Sequence, residues 1–238
     1  MPRSDRQSGQ ALLILVAVIG LGAASLFMSA MGSPRLDSAR EQRTMAALQE
    51  AREALIGFAV THGRLPRPAI SATDGNENPA PCVSEAACTG LLPWTTLGVP
   101  RTDAWGKLLR YSVTPVYTSA PLQRTSAVAT KTVLTRVGGG QIVYRAGNPD
   151  CTLGSPCEAA VVYSNGRNNF GINAAGIVQA NGSQGNVDEA ANNVATLNFM
   201  VRPTTDDARA PGGPFDDLLV WIDPQQLYAP MAQARVLP

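Results

Sequence analysis

The feature that most constrains this chain is an uninterrupted apolar stretch from Ala11 to Met31. It contains no charged residue, and Ser25 and Ser29 are its only polar side chains. As a helix it would be roughly 31 Å long, which is about the hydrocarbon thickness of a bilayer. We therefore predict a membrane-spanning helix over residues 10–33.

Two other interpretations of this stretch stay open. The first is a cleaved secretory signal, for which Ser25 to Ala30 supply small residues, although the apolar core exceeds the usual ~7–15 residues. The second is a buried helix of a soluble protein, but such helices seldom stay uncharged on every face. Small residues are common in membrane spans and also let membrane helices approach closely. Four of them form one candidate packing face: Gly20, Gly22, Ala23 and Ala24.

The residues that flank the stretch predict its orientation. Arg3 and Arg6 precede it, and basic residues stay on the cytoplasmic side. Arg35 and Arg40 follow it and weaken this preference, but a short tip is easier to keep inside than a folded body. We therefore expect residues 1–9 to form a cytoplasmic tip and the rest of the chain to lie outside the cytoplasm.

Composition limits what the remaining part of the chain can be. About 205 residues follow the stretch, which is enough for one domain with a real core. The formal net charge of the chain is +1, so no electrostatic pattern indicates nucleic acid as a partner. The 22 glycines, 18 prolines and 16% charged residues indicate a turn-rich β body.

The four cysteines form two pairs of identical spacing, Cys82 with Cys88 and Cys151 with Cys157. Each pair lies in a loop-like stretch, and two local disulfides are the favoured connectivity of the three that four cysteines allow. Each would stabilise the protein by about 2–2.5 kcal/mol. A four-thiolate metal site is the alternative, but such sites usually have tighter pairs. Disulfides persist in oxidising compartments, which agrees with the predicted orientation.

The apolar stretch continues into an amphipathic helix, predicted over residues 34–63. Arg52 is the exception on its apolar face, although its aliphatic stem can lie along apolar surface. Gly63 is suited to a left-handed helix cap, with Pro66 after it. The apolar residues recur with helical period: Met45, Leu48, Ala51, Leu55, Phe58 and Ala59.

Residues 64–238 are predicted to form one β-rich domain with long loops. Strands are predicted over 108–113, 158–164 and 216–222, and a hairpin over 132–146 with Gly138 to Gly140 at its turn. The polar, turn-rich segment 171–193 is predicted as loop. A short terminal helix is predicted over 225–236.

Few residues offer catalytic chemistry. His62 is the only histidine, and its position at a helix end favours a capping role over catalysis. Asp206-Asp207 and Asp216-Asp217 are paired aspartates; they are suited to acid–base work or to Ca²⁺, or they simply cap strands and loops. We therefore expect no enzymatic activity and no cofactor, with Ca²⁺ as a weak alternative.

The order of these features resembles type IV pilins and the pseudopilins of type II secretion. A basic tip ends at Gly9, followed by an apolar helix, an amphipathic helix and a β body. Individual stretches are similar to minor pilin-like proteins and pseudopilins: 53–59 (EALIGFA), 63–66 (GRLP), 90–98 (GLLPWTTLG), 103–106 (DAWG) with Tyr111, 164–168 (SNGRN) and 215–221 (FDDLLVW).

The chain also departs from the family pattern. Prepilins usually carry Gly-Phe-Thr-Leu-Ile-Glu at the processing site, whereas here Gly9 is followed by Gln10, and Ile14 stands where the glutamate would be. A carboxylate inside a bilayer is kept for a partner, and its loss is tolerated in a subunit at the filament tip. Arg67 replaces a cysteine of the group. The resemblance implies leader processing between Gly9 and Gln10.

The resemblance implies a fold class as well as a function. The fold class is α+β and pilin-like, with a long N-terminal helix packed on a C-terminal antiparallel sheet domain. The function is that of a minor pilin or pseudopilin subunit, or of an assembly factor, in a type IV pilus or type II secretion system. Its partners would be other pilins, inner-membrane assembly proteins and membrane lipid, with the folded domain in the periplasm. A membrane-anchored or secreted binding domain without a filament role is the alternative.

Overall fold

The computed structural model describes residues 36–237. The chain divides into two compact units, residues 1–42 and 43–238. Residues 36–62 are helical; the part over 43–62, here α1, belongs to the second unit, and the helical residues 36–42 belong to the first.

Over residues 43–237 the second unit contains three further α-helices, two short 3-10 helices (Pro115–Thr118 and Gly138–Gly140) and seven strands. The helices are α2 (Trp94–Leu97), α3 (Val187–Val194) and α4 (Pro224–Gln233). The strands are β1 (Thr89–Leu91), β2 (Arg110–Val113), β3 (Thr132–Val137), β4 (Gln141–Ala146), β5 (Ala160–Ser164), β6 (Asn198–Met200) and β7 (Leu218–Ile222).

The strands form two sheets. The larger has the order β1-β2-β5-β7 and is antiparallel throughout. The smaller has the order β4-β3-β6; β3 and β4 form a hairpin, whereas β3 and β6 run parallel. The hairpin turn contains Gly139 and Gly140, both with positive φ, as the glycine run predicts.

The larger sheet is covered on both faces, and alternate side chains of its strands enter two different apolar clusters. Val162 and Val220 pack with the α1 residues Leu48 and Leu55. Their neighbours along the strands, among them Val161, pack against residues of the smaller sheet. The central strand β5 is therefore buried along its whole length, which explains why its sequence is a continuous apolar run rather than an alternating one.

The amphipathic helix packs as its sequence pattern predicts. Leu48, Ala51 and Leu55 are fully buried on its core face. The helix ends at Gly63, whose φ is +68° and whose N–H donates to the carbonyl of Ala59 at 2.9 Å. His62 places Nδ1 3.1 Å from the carbonyl oxygen of Phe58 in the last helical turn.

The predicted fold class is wrong in its arrangement. It predicted one long N-terminal helix, membrane-spanning in its first half and amphipathic in its second, packed on an antiparallel β-sheet domain. The described residues instead form an α+β body with two sheets, one of them containing a parallel pair. No helix within residues 36–237 combines the length and the hydropathy needed to cross a bilayer. The predicted span over 10–33 lies outside the described residues.

The sequence prediction missed four elements, β1, α2, α3 and β6, whereas most of the elements that it did predict are confirmed. The helix α3 lies in the segment predicted as loop, and β6 was not predicted at all. The polar composition around both hides them, because α3 buries acidic and amide side chains rather than an apolar stripe. The hairpin, the strands β2, β5 and β7, and the terminal helix α4 lie where they are predicted.

Both predicted disulfides are present, Cys82–Cys88 and Cys151–Cys157. Cys88 and Cys157 are fully buried, so each bridge connects a surface loop to the core. The local connectivity is confirmed, and the thiolate metal site is wrong for this chain.

Candidate functional site

The chemically richest place in the molecule is a set of polar side chains buried at one end of the larger sheet. We call it the buried polar cluster. Its side chains come from the turn before β2, the end of β5 and the loop after it, helix α3, and the two residues just before β7, and all are less than 10% exposed. Its members are Asp103, Lys107, Ser164, Asn165, Asn169, Glu189, Asp216 and Asp217.

The turn before β2 is built by Asp103. One of its carboxylate oxygens accepts the backbone N–H groups of Trp105 and Lys107, each at 2.9 Å. The other accepts the hydroxyl of Ser164 at 2.6 Å, 61 positions along the chain. Asp103 therefore fixes a tight turn and ties it to the end of β5.

Lys107 places a positive charge at the centre of the cluster. Its Nζ donates to the carbonyl oxygens of Asn165 at 3.1 Å and Asn169 at 2.8 Å. Burial lowers the pKa of this lysine, while four nearby carboxylates oppose that shift: Asp216, Asp103, Asp217 and Glu189. The ammonium group thus holds the loop after β5 and balances part of the buried negative charge.

Asn169 and Glu189 connect this loop to α3. The Asn169 Oδ1 accepts the N–H groups of Gly182 and Ser183, and its Nδ2 donates to a Glu189 oxygen at 2.8 Å. The other Glu189 oxygen accepts the N–H of Asp216 at 2.9 Å. Glu189 therefore joins the loop, α3 and the start of β7.

Asp216 and Asp217 are the carboxylates with the least complete hydrogen bonding. Each has one oxygen bonded, to the N–H of Asn168 and to Nδ2 of Asn192. The Oδ1 atom of each is buried without a partner among the described residues, as are both side-chain polar atoms of Asn165. Burial, then the neighbouring Glu189, raises the pKa of Asp216 to about 6, and burial raises that of Asp217 well above its usual range.

Three carboxylates of the cluster lie close enough together to share a metal ion. Glu189, Asp216 and Asp217 bring carboxylate oxygens within 4.8 Å of one another, and oxygen ligands suit Ca²⁺. However, both Glu189 oxygens already accept hydrogen bonds, and Lys107 already provides a cation. The donor set fits Ca²⁺ in its chemistry but leaves only two partnerless carboxylate oxygens, where Ca²⁺ takes six to eight ligands.

The structure separates the two predicted carboxylate pairs. Asp216 and Asp217 belong to the buried polar cluster, whereas Asp206 and Asp207 lie on an exposed loop, where Asp206 pairs with Arg167 at 2.7 Å. The leader residues Gly9 and Gln10 and the helix-packing residues Gly20, Gly22, Ala23 and Ala24 lie outside the described residues.

Sequence reasoning did not find the partners of Asp216 and Asp217. Lys107, Asn169 and Glu189 lie at positions without a recognisable spacing, so only the fold brings them together. One signal was available: a lysine at the start of an otherwise apolar strand pattern, since buried lysines require partners.

Several of the sequence blocks named above meet in the structure. Three of them, 103–106, 164–168 and 215–221, supply most of the buried polar cluster and bond to one another through it. A fourth block, 63–66, is held by Tyr111, whose hydroxyl donates to the carbonyl of Pro66 at 3.1 Å. No family model, no curated protein and no solved structure matches the chain.

Proposed function

We propose that this chain is a non-enzymatic structural subunit or assembly factor of a pilin-type machine, either a type IV pilus or a type II secretion system. Its folded body would lie in the periplasm, and its partners would be other pilins and inner-membrane assembly proteins. The observation that carries the proposal is the convergence of the pilin-like sequence blocks on one buried polar cluster, whose side chains bond to loops and to one another.

Two further features support this function. The two disulfides suit an oxidising compartment. Most side chains of the buried polar cluster bond to backbone groups of the surrounding loops, which is the arrangement expected of a scaffold that holds its loops in fixed positions. A subunit that contacts its neighbours through loops needs those loops ordered before assembly.

The experiment that tests the proposal is the N-terminal mass of the mature protein, purified from the membrane of its native cell. A chain that begins at Gln10, with or without N-methylation, is the expected result and would mean that prepilin peptidase accepts this site. A start near Met31 would instead indicate a cleaved signal and a secreted domain, and would contradict the proposal. An intact N-terminus would indicate a permanent anchor, which contradicts the role of a filament subunit and leaves an assembly or binding protein.

A second candidate function is that of an anchored or secreted binding domain without a filament role. It is favoured by an open groove of about 420 Å³ between α1 and the two sheets, which lies within the size range of ligand sites. Deletion of the gene separates the two functions. Loss of a filament subunit is expected to reduce pilus assembly or secretion, whereas loss of a separate binding domain is not.

A further inference from the structure

The groove of about 420 Å³ beside β7 is separate from the buried polar cluster, and the proposed filament role does not account for it. Three consecutive residues of β7 line it, Leu219 to Trp221, so the groove runs along the edge of the strand rather than along one face of the sheet. Met45 and Arg52 of α1 form one wall, and Arg145 of β4 lies on the other.

The strand β7 is the outermost strand of the larger sheet. Among the described residues it pairs only with β5, so the backbone N–H and C=O groups of its other edge have no strand partner. Such an edge is a template for a further strand, and extended peptides bind to many proteins in this way. The groove therefore offers backbone groups as well as side chains to an extended segment.

The charges of the groove indicate which segment it suits. Its lining contains two arginines and no acidic residue. Arg145 is exposed and forms no ion pair within residues 36–237. Within the part of the chain that the structure describes, Arg52 bonds only to the neutral Gln49, at 3.0 Å, and its buried Nε has no partner there.

Arg52 is also the charged residue that interrupts the apolar face of α1. A guanidinium group at this position reduces the apolar packing of the helix face. Its buried Nε has also lost water without gaining a hydrogen-bond acceptor, which is unfavourable. A carboxylate brought by a ligand would supply the missing acceptor, because arginine binds carboxylates through two parallel hydrogen bonds. The apolar side chains of Met45, Leu219 and Trp221 would cover alternate residues of the same segment.

We propose that this groove binds an extended acidic segment of a partner protein, which adds to β7 as a further strand and places its carboxylates against Arg52 and Arg145. The proposal does not depend on the filament role. It assigns a binding surface, and the chemistry of the partner, to the edge of the larger sheet.

The test uses the full-length protein and a synthetic peptide of seven alternating valine and glutamate residues, blocked at both ends and labelled with a fluorophore. Binding is followed by fluorescence anisotropy. Two matched peptides serve as controls: one carries lysine in place of glutamate, and one carries proline at the central position, which removes a backbone donor. We expect the acidic peptide to bind, and both controls to bind at least about tenfold more weakly.

Variants of the protein locate the binding site. Arg145→Gln changes an exposed side chain and should lower the affinity for the acidic peptide about threefold or more. The double variant with Arg52→Gln should lower this affinity about tenfold. Arg209→Gln, at an exposed position on another loop, should leave the affinity within about twofold. Binding should weaken as salt is added, since the charge pairs lie near solvent.

Four results would overturn the proposal. These are no binding of the acidic peptide, equal binding by the arginine variants, equal binding of the proline peptide, and self-association of the protein that Arg145→Gln abolishes. The third would make the groove a simple anion site, and the fourth would place a second copy of the chain in it. Circular dichroism of each variant shows whether it is folded.

Discussion

Lys107 is the residue on which the buried polar cluster most depends. It is 1% exposed, and it is the cation that faces Asp103, Glu189, Asp216 and Asp217. Its partners are carbonyl oxygens of the loop after β5. Without its charge, the carboxylates would repel one another in a medium that screens them poorly.

We predict that Lys107→Met lowers the free energy of unfolding by about 3–5 kcal/mol at pH 7.5, because it leaves buried charge uncompensated. The loss should be smaller at pH 5, where more of the carboxylates are protonated. Urea denaturation at both pH values measures this, with Arg209→Met at an exposed position as the control. Equal losses at the two pH values would contradict the electrostatic explanation.

Glu158, two residues before β5, is a buried acid outside the buried polar cluster. It is 4% exposed, and its Oε2 atom has no hydrogen-bond partner among the described residues. Burial, and then Asp223, raises its pKa to about 7. The folded protein therefore holds protons on Glu158 and Asp216 at a pH where the unfolded chain has released them.

This difference predicts how stability depends on pH. A group whose pKa is higher in the folded state favours folding below its unfolded pKa, and its contribution is lost as pH rises through the folded value. Between pH 4.5 and 7.5 we therefore expect stability to fall as pH rises. The share from Glu158 should be on the order of 3 kcal/mol, since one pKa unit corresponds to about 1.4 kcal/mol.

The substitution Glu158→Gln tests this share directly. It keeps the shape of the side chain and removes its titration, so it should stabilise the protein at pH 7.5 and flatten the decline of stability with pH. Melting temperatures from pH 4.5 to 7.5 measure both effects. A decline as steep as in the unchanged protein would show that Glu158 titrates at its ordinary value.

Among the elements, the loop closed by Cys82 and Cys88 does more than shorten the unfolded chain. It carries Glu85, which forms an ion pair with the fully buried Lys131 and accepts the hydroxyl of Thr130 at 2.6 Å. The Nζ atom of Lys131 also donates to the carbonyl of Thr196 at 2.7 Å. The disulfide thus holds the carboxylate that compensates a buried lysine.

We predict that Cys82→Ser with Cys88→Ser costs more stability than Cys151→Ser with Cys157→Ser, although both loops have the same length. Loop closure alone gives about 2 kcal/mol for either bridge. Without the Cys82–Cys88 bridge, Glu85 is no longer held beside Lys131. This increases the cost of that double variant, because a buried ammonium group without its partner is strongly destabilising. Urea denaturation of both double variants, compared with Glu85→Gln, measures the difference. Equal costs would contradict the role given to Glu85.

At the scale of the whole molecule, the larger sheet is an inner layer between α1 and the smaller sheet. The buried polar cluster closes one end of this layered core, where loops from β2, β5 and β7 meet. Apolar packing therefore stabilises the centre of the body, and ion pairs and hydrogen bonds order its end.

This arrangement predicts a weak response to calcium. Because Lys107 already compensates the carboxylates, we expect Ca²⁺ in place of EDTA to change the melting temperature by less than about 1 °C, whereas saturation of a true site one hundredfold above its Kd would add about 2.7 kcal/mol. In Lys107→Met the same comparison should show a larger increase. Stabilisation of the unchanged protein that Asp216→Asn abolishes would instead establish a calcium site.

The parts of this fold that sequence predicts are those that depend on neighbouring residues. The apolar period of α1, the glycine turn between β3 and β4, the run of β5 and the two short cysteine loops are all local patterns. Each specifies its own element because the contacts or bonds that it needs lie within a few positions along the chain.

Tertiary structure alone decided the rest. The parallel pairing of β3 with β6 and the meeting of Lys107 with Asn169, 62 positions away, depend on contacts that no local period encodes. Helix α3 is invisible to patterns because its buried side chains are polar. They are stable there only beside partners from β3, β6, the loop after β5 and the residues just before β7. The amino-acid sequence fixes which groups need a partner, and only the folded chain determines which partner each one receives.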